Sequence, residues 1–457
     1  MTLKILGLGG AKEVGRSSFL LTEDNHSLLL DAGLKLFPKR LNIPPLEPNI
    51  PLNERKEFFS SLDSMLVSHA HLDHIGYIPA AYHYGYTGKV YMTKPTADLA
   101  NYVWEDGLKI QGDRFYNKKD VNLTNRNIVK LDYNNKIKIS DKVSATFHDA
   151  GHILGSAAIE LEWDGQKILY TGDISDQKSL LHTGYHIPTS NDKFSFIISE
   201  ATNHHTSRHT PREKSSKGLI QAALDTYKRK SKLIIPAFSM GRSQEVLSIL
   251  MTYLDDLLYS YPIYIAGAIN KVNKIYRKFF NSNWINPKII ELVKEQDSSL
   301  KTPWDHPGLK EVRGFNTQKR IMKSKKPCII ISTHGMLETG PVHGFLSLGA
   351  NKKENILAIV GYQASGSIGA DILAGVKTIE LGYGKHVKKY HIDLEIRKYS
   401  FSGHISRENL QKFLTNTQTD QIFTVHGDLN SMTHLRNRLK NNGLIATVLP
   451  SMESTST

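Results

Sequence analysis

The feature that most constrains this chain is a dense run of polar residues, His69-Ala70-His71-Leu72-Asp73-His74. It directly follows the apolar residues 65–67, which predict a short buried strand ending at the run. Imidazole nitrogens and carboxylate oxygens are the ligands that zinc and similar cations prefer. The spacing differs from the i, i+4 pair of a helical zinc site and suits a loop around two adjacent ions. The run therefore predicts a metal centre at a strand end.

Other strand ends offer the ligands that one run cannot supply alone. His152 lies between Gly151 and Gly155, where the backbone can turn tightly, and Asp173 closely follows an apolar stretch. The two oxygens of Asp173 can bridge two cations. His426 ends another apolar stretch, residues 421–425. Each of these residues alone is more often structural, but four such strand ends in one chain favour a shared metal site.

Length and cysteine content set broad limits. A chain of 457 residues predicts two domains or three, and no stretch approaches the length of a membrane span. The first six residues indicate a strand rather than a signal peptide. Cys328 is the only cysteine, so the chain can form no internal disulfide. We therefore expect a cytoplasmic protein without a membrane partner.

The charge of the chain favours a polyanionic partner. Lysine and arginine number 58 against 44 aspartates and glutamates, a formal net charge of +14. Basic runs lie in the middle third and beyond, at residues 228–232, 274–278, 323–326 and 385–389. Each run alone is typical of a solvated face. Together, if the predicted metal centre cuts phosphodiesters, they could line a nucleic-acid channel.

The order of predicted elements divides the chain. The first part reads as short strands joined by hairpins, including residues 17–31 and residues 157–171 around Asp164-Gly165. From about residue 214 strands alternate with helices, which predicts an open parallel α/β sheet. After about residue 390 the chain returns to strand, helix, strand and helix.

These motifs together resemble those of the β-CASP ribonucleases of the metallo-β-lactamase superfamily. This group includes the cleavage-and-polyadenylation nuclease subunit, its archaeal and bacterial relatives, and RNase J. The residues that resemble the four superfamily motifs are Asp31, the run at 69–74, His152 and Asp173. Those that resemble the three β-CASP motifs are Glu200, His404 and His426. Segments 9–17, 236–245, 332–336 and 361–366 are similar to family segments as well.

The resemblance implies a fold and a place for the active site. A metallo-β-lactamase αββα sandwich is expected in two pieces, residues 1–204 and 391–457. A β-CASP α/β domain with a parallel sheet is expected between them, at residues 205–390, with the active site in the cleft where the domains meet. The long C-terminal extension of RNase J is expected to be absent.

The resemblance also implies a zinc-binding set for two ions. One ion would be held by His69, His71 and His152, and the other by Asp73, His74 and His426, with Asp173 bridging both. A hydroxide between the ions is the implied nucleophile, because two cations lower the pKa of bound water.

Catalytic and substrate-binding roles follow from the same resemblance. The expected catalytic residues are His404 as general acid, Glu200 as the group that holds its imidazole, Asp73, and Asp31, which orients a ligand. The expected substrate contacts are Ser402, Gly403, Ser332, Thr333 and Arg242. At three positions the chain departs from the family pattern: His204, His205 and His334. Surface or packing roles are favoured there, with contact to substrate as the alternative.

The leading functional interpretation is a zinc-dependent ribonuclease, with endonucleolytic RNA processing or decay favoured. A 5′–3′ exoribonuclease of RNase J type stays an alternative, since both use the same ions. A DNA-processing β-CASP nuclease is a further alternative, but such relatives tend to carry valine where this chain has His426, which favours RNA. A small-molecule hydrolase would leave Glu200, His404 and the charge unexplained, and non-catalytic scaffold relatives lose metal ligands that are present here. RNA is the expected partner, and a homodimer or an RNA-processing complex is left open.

Overall fold

A computed structural model describes residues 3–35, 50, 53–188, 193–203, 206–296, 299–382 and 386–451. The chain forms two compact units: unit 1 comprises residues 1–177, 184–208 and 404–457, and unit 2 comprises residues 178–183 and 209–403. His204 and His205, and Lys385 of the last basic run, lie outside the described residues. Among the described residues, no helix is both long and apolar enough to cross a membrane.

The elements of unit 1 are short strands with helices between some of them. Its strands are β1 (Lys4–Gly9), β2 (Ser18–Glu23), β3 (His26–Leu30), β4 (Ser64–Leu66), β5 (Lys89–Thr93), β6 (Ile128–Leu131), β7 (Ile137–Lys138), β8 (Val143–Asp149), β9 (Ala157–Trp163), β10 (Gln166–Tyr170), β11 (Phe194–Glu200), β20 (Thr419–Val425) and β21 (Ala446–Val448). Its helices are α1 (Arg55–Ser60), α2 (Leu72–Ile75), α3 (Ile78–His83), α4 (Lys94–Gln111), α5 (Lys118–Asn127), α13 (Arg407–Asn416) and α14 (Leu429–Asn441).

Two mixed sheets build unit 1. The first has the strand order β1-β2-β3-β4-β5-β6, and the second has the order β21-β20-β11-β10-β9-β8-β7. Apolar side chains of both sheets, among them Phe19, Leu30, Phe147 and Trp163, pack into one buried core. Helices α13 and α14 supply Leu410, Phe413, Met432 and Leu435 to a second core, with β10, β11 and β20, and α4 contacts β5 and β6. The predicted αββα sandwich is confirmed.

The hairpins expected from the sequence form as predicted. Trp163 of β9 pairs with Gln166 of β10, which leaves only Asp164 and Gly165 as the loop. Both loop residues have positive φ, 47° and 84°. A two-residue hairpin loop needs this left-handed backbone at both positions, and Asp-Gly adopts it readily.

Unit 2 alternates strands and helices. Its strands are β12 (Lys232–Pro236), β13 (Ile263–Ala266), β14 (Leu309–Val312), β15 (Cys328–Ser332), β16 (Ile356–Ile359), β17 (Thr378–Leu381), β18 (Lys388–His391) and β19 (Glu395–Lys398). Its helices are α6 (Arg212–Lys228), α7 (Arg242–Leu254), α8 (Ile269–Phe279), α9 (Pro287–Gln296), α10 (Phe315–Lys323), α11 (Pro341–Gly349) and α12 (Ile368–Leu373), with 3₁₀ turns at Asp255–Tyr259 and Pro303–Asp305.

The main sheet of unit 2 is parallel throughout, with the order β14-β13-β15-β12-β16-β19. Strands β12, β15 and β16 are buried along their length, which explains their continuous apolar sequences. Helices α10 and α11 contribute to the core on one face of this sheet, and α6 contacts β12, β15 and β16. Strand β19 lies within the segment 391–457 that the resemblance assigns to the first domain, yet it pairs with β16 of unit 2.

Candidate metal centre

In unit 1 the ends of several strands carry the polar side chains singled out above. Asp31 directly follows β3, and the run 69–74 closely follows β4. His152 and Asp173 follow β8 and β10, and His426 follows β20. β3 and β4 are parallel, as are β10, β11 and β20, so their carboxyl ends lie at the same edge of each sheet.

The side chains form two groups of close ligand atoms. In the first group His69, His71, His152 and Asp173 each offer one atom, all within 4.8 Å of one another. Nδ1 of His71 lies 3.0 Å from Nε2 of His69 and 3.1 Å from Nε2 of His152. The second group consists of Asp73, His74 and His426.

Asp173 approaches both groups. Its Oδ2 lies 3.6 Å from Nε2 of His69 and 3.5 Å from Nε2 of His74. Its Oδ1 lies 3.2 Å from Nδ1 of His426 and is buried without a hydrogen bond from the described residues. A buried carboxylate oxygen normally has a partner, and a cation between these imidazoles would supply one. The donor set therefore fits metal ions of the zinc type.

The protonation of His69, His71 and Asp173 suits metal binding. Burial lowers the pKa of His69 well below its usual range and that of His71 to about 4, so both rings are neutral at pH 7. Burial opposes ionisation of Asp173, but His426 and His74 outweigh it and hold the pKa of Asp173 far below its usual value. Neutral imidazoles and ionised carboxylates are the forms that bind a metal.

Asp31 holds His74. Its Oδ2 lies 2.7 Å from Nδ1 of His74 and accepts hydrogen bonds from the hydroxyls of Ser68 and Tyr170 at 2.7 and 2.6 Å. Burial disfavours the charged form of His74, but the carboxylates of Asp173 and Asp31 raise its pKa to about 10. Asp31 thus fixes the ring with Nε2 directed toward Asp173.

The backbone at Ser17 and Gly33 lies close to the loop of residues 69–74 and keeps that loop in place. The Ser17 amide donates to the Asp73 carbonyl at 2.8 Å. A Cβ atom on Gly33 would lie only 1.7 Å from that same carbonyl oxygen. Sequence reasoning missed Gly33 because nothing in a local pattern shows which glycine another segment approaches.

Glu200 and His404 form a pair beside the metal ligands. Nδ1 of His404 lies 3.0 Å from Oε2 of Glu200 and 3.8 Å from Oδ2 of Asp173. The backbone amide of Ile174 donates to the other oxygen of Glu200 at 2.7 Å. Burial disfavours the charged imidazole, but Glu200 and Asp173 raise the pKa of His404 to about 9. The ring is therefore cationic at neutral pH and can give up a proton.

The five residues expected to contact substrate belong to unit 2, whereas the residues described so far belong to unit 1. Ser332 ends β15 and its hydroxyl donates to the Thr333 carbonyl at 3.0 Å. Arg242 begins α7 and pairs with Glu245. His334 is close to the Thr339 carbonyl, 3.1 Å from its Nδ1.

Arg212 is a residue that sequence reasoning missed. Its Nε lies 3.0 Å from Oε1 of Glu245, and its Nη2 donates to the Ser402 carbonyl at 2.9 Å. The guanidinium groups of Arg212 and Arg242 lie 5.6 and 6.0 Å from the centre of the Phe401 ring. Two arginines thus share one carboxylate and hold the segment that leads to His404. No local motif marks Arg212, which begins a polar helix.

Comparison with known protein families identifies three segments. Residues 20–201 match the metallo-beta-lactamase superfamily domain. Residues 243–372 match the Beta-Casp domain, and residues 389–450 match a Zn-dependent metallo-hydrolase RNA specificity domain. The fold and the donor set therefore define a metal-dependent hydrolase of the metallo-β-lactamase type.

Several curated proteins are similar over most of the chain. An RNase J-like protein of Methanocaldococcus jannaschii is 32% identical over 423 residues, which cover 92% of this chain and 91% of that protein. The transcription termination factor FttA of Methanosarcina mazei is 32% identical over 442 residues, covering 93% of this chain and 67% of the relative. The chain belongs to the β-CASP family of metal-dependent ribonucleases.

A solved structure is similar over the whole length. A protein of unknown function from Enterococcus faecalis V583 superposes with a TM-score of 0.58 at 13% identity and covers 99% of both chains. At this identity the similarity supports the fold alone.

Proposed function

We propose that this chain cleaves RNA phosphodiester bonds with two zinc ions as cofactors. The observation that carries the proposal is the position of Asp173, whose oxygens approach both groups of ligands and the His404–Glu200 pair. One zinc would be held by His69, His71, His152 and Asp173. The other would be held by Asp73, His74, His426 and Asp173.

When bound, zinc supplies Lewis acidity that ionises water near neutral pH and offsets the charge that develops on phosphorus. The protein's own residues orient and protonate. Asp31 keeps His74 in one rotational state through its 2.7 Å contact. His404, cationic beside Glu200, donates its proton to the leaving oxygen. Glu200 is a positioning residue that keeps the His404 ring in place and charged.

RNA is the proposed substrate. The match of residues 389–450 to an RNA specificity domain and the RNase J-like relative both support it. The formal charge of +14 suits a polyanion. Ser402, Gly403, Ser332, Thr333 and Arg242 stay proposed contacts of that substrate.

Endonucleolytic cleavage is the proposed mode. Several relatives are named transcription termination factors. Internal cleavage of a transcript would suit a hydrolase with such a role. The second candidate, 5′–3′ exonucleolytic decay, is favoured by one observation: the RNase J-like relative is matched over 91% of its length.

The mode can be tested with three substrates: a circular RNA, a linear RNA with a 5′ monophosphate, and the same RNA with a 5′ triphosphate. Cleavage of the circle would support the endonuclease. Single nucleotides released only from the monophosphorylated RNA would support the exonuclease instead. A single-stranded DNA of the same sequence serves as control, and cleavage of DNA alone would contradict the proposed substrate.

The metal set can be tested by measuring zinc content. Asp173→Asn should lower the zinc bound per chain below that of the unchanged protein, because Asp173 approaches both groups. Asp149→Asn is a suitable control, since Asp149 is a half-buried carboxyl three residues before His152 in the chain and accepts from the Gly151 backbone. Full zinc occupancy in Asp173→Asn would contradict the shared-ligand assignment.

A further inference from the structure

The net positive charge of this chain lies in one of its two units. Unit 2 contains 31 lysines and arginines against 16 aspartates and glutamates, a net charge of +15. Unit 1 contains 27 against 28, a net charge of −1. The unit that holds the metal ligands therefore has no net positive charge to suit a polyanion. A separate surface of unit 2 is the place to look for it.

Helix α8 presents a stripe of lysines. Lys271, Lys274 and Lys278 follow one another at intervals of three and four residues, so they lie on one face of the helix. All three are exposed, whereas the opposite face buries residues such as Val272 and Tyr276. Nζ of Lys278 lies 5.2 Å from the centre of the Phe279 ring, and the neighbouring Arg277 pairs with Asp305 at 2.8 Å. The helix contains no acidic residue.

Helix α10 presents a matching stripe. Phe315, Lys319 and Lys323 are spaced at intervals of four, and all three are exposed, with 53% of Phe315 accessible to solvent. Arg320 is exposed beside them. This helix also contains no acidic residue.

The two helices border the same edge of the main sheet. Asn270 of α8 donates to Glu311 of β14 at 3.2 Å, and α8 contacts β13. Ile321 of α10 packs in the same core cluster as Val312 of β14. Strand β14 is the edge strand of the sheet. The two stripes thus flank one edge of unit 2.

We propose that this edge is a binding surface for the phosphate backbone of single-stranded RNA, separate from the metal centre. We call it the basic rim and define it by Lys271, Lys274, Lys278, Lys319, Arg320 and Lys323. Phe315 offers a face on which one base can stack. The inference rests on the proposed function, since it names the surface through which the same substrate is held.

Charged residues at an edge strand can also serve only to prevent sheet-to-sheet association. That role needs a few charges on β14 itself, and Lys310 and Glu311 supply them. It does not account for two acid-free helices with stripes of cations. Long RNA distinguishes the two roles, because only a binding surface contributes to RNA affinity.

The test measures RNA affinity as a function of salt, with zinc removed so that nothing is cut. One variant replaces Lys271, Lys274 and Lys278 with glutamine, and a second replaces Lys319, Arg320 and Lys323. Each lost phosphate contact makes the slope of log affinity against log salt shallower by about 0.7. Each triple variant should therefore lose about 2 units of slope, and bind about 10- to 100-fold more weakly at about 0.15 M salt. Phe315→Ala should weaken binding about tenfold and leave the slope unchanged.

The matched control removes equal charge elsewhere in unit 2, at the exposed Lys228, Lys352 and Lys353. A loss of slope in this control equal to that of the rim variants would overturn the proposal, because net charge alone would explain it. So would unchanged RNA affinity in both rim variants. Reduced binding to vesicles containing phosphatidylserine, with RNA binding intact, would indicate a membrane surface and overturn it as well.

Failure of the proposed ribonuclease function can be distinguished from failure of the basic-rim proposal. If the unchanged protein neither binds nor cuts RNA, the proposed function is wrong. An RNA of about six nucleotides has few phosphates left to contact a second surface once it is bound at the metal centre. If the unchanged protein and the rim variants cut this short RNA equally well, the proposed function holds. The affinity for long RNA then tests the basic rim alone. Thermal unfolding of each variant establishes that any lost binding is not a loss of fold.

Discussion

At the scale of single residues, the candidate site separates two kinds of histidine. His69 and His71 are neutral because burial dominates their surroundings. His404 is charged because two carboxylates outweigh the same burial. His69 and His71 can donate a lone pair to a cation, and His404 can donate a proton. The pKa of His74 is raised as well, so His74 must lose its proton to bind a metal. Both kinds of histidine thus lie in the candidate metal centre.

Replacing His404 separates these roles. His404→Ala should retain zinc and RNA affinity but cleave about 100- to 10,000-fold more slowly, since a general acid contributes about that much. Single-turnover cleavage and zinc content measured on the same sample check the expectation. Zinc loss in this variant would place His404 among the ligands instead.

Replacing Glu200 should change the pH dependence of cleavage. The pKa of His404 is raised to about 9 in part by Glu200, so Glu200→Gln should lower it. Activity that needs protonated His404 is present below that pKa and is lost as pH rises through it. The alkaline limb of the kcat profile should therefore move to lower pH. An unmoved limb with reduced activity would indicate that another group provides the proton.

At the scale of elements, the Arg212–Glu245–Arg242 cluster connects α6 and α7 with the segment before His404. Arg212 binds the carbonyl of Ser402, two residues from His404 in the chain. A buried carboxylate shared by two guanidinium groups is costly to break, because one partner's loss leaves the others uncompensated. The cluster therefore restrains the backbone at Ser402, shortly before His404, the proposed proton donor.

Two substitutions at Arg212 test this restraint. Arg212→Met should lower kcat about tenfold or more and reduce thermal stability, since a buried ion pair loses one partner. Arg212→Lys keeps the charge and should recover part of the stability but not the planar contact with Ser402. The split between kcat and KM is the informative readout. Equal kcat in both variants and the unchanged protein would argue against a positioning role.

Many of the strands and hairpins could be predicted from the sequence. The hairpin at Asp164-Gly165 and the apolar strands of unit 2 follow from local rules, and both are present. The pairing of β19 with β16, and the contact of Arg212 with Ser402, depend on residues distant in sequence. No local propensity encodes such contacts, because they arise only when the chain has packed. The two groups of candidate metal ligands could be predicted because their residues closely follow apolar stretches that form strands.

At the scale of the whole molecule, zinc should contribute to the stability of the folded chain. A ligand that binds only the folded state stabilises it by about 2.7 kcal/mol at 100 times its dissociation constant. Removing zinc with a chelator should therefore lower the unfolding temperature, as measured by calorimetry. Asp173→Asn should show a smaller decrease on chelation, because it binds less zinc at the outset. An equal decrease in both proteins would contradict this coupling.

The uneven charge of the two units has one more consequence. A body whose net positive charge lies in one part experiences a torque in the field of a polyanion, and not only an attraction. If RNA is the substrate as proposed, the field of the RNA would attract unit 2 more strongly than unit 1 during the approach. Added salt would then slow productive encounters before it altered the chemical step.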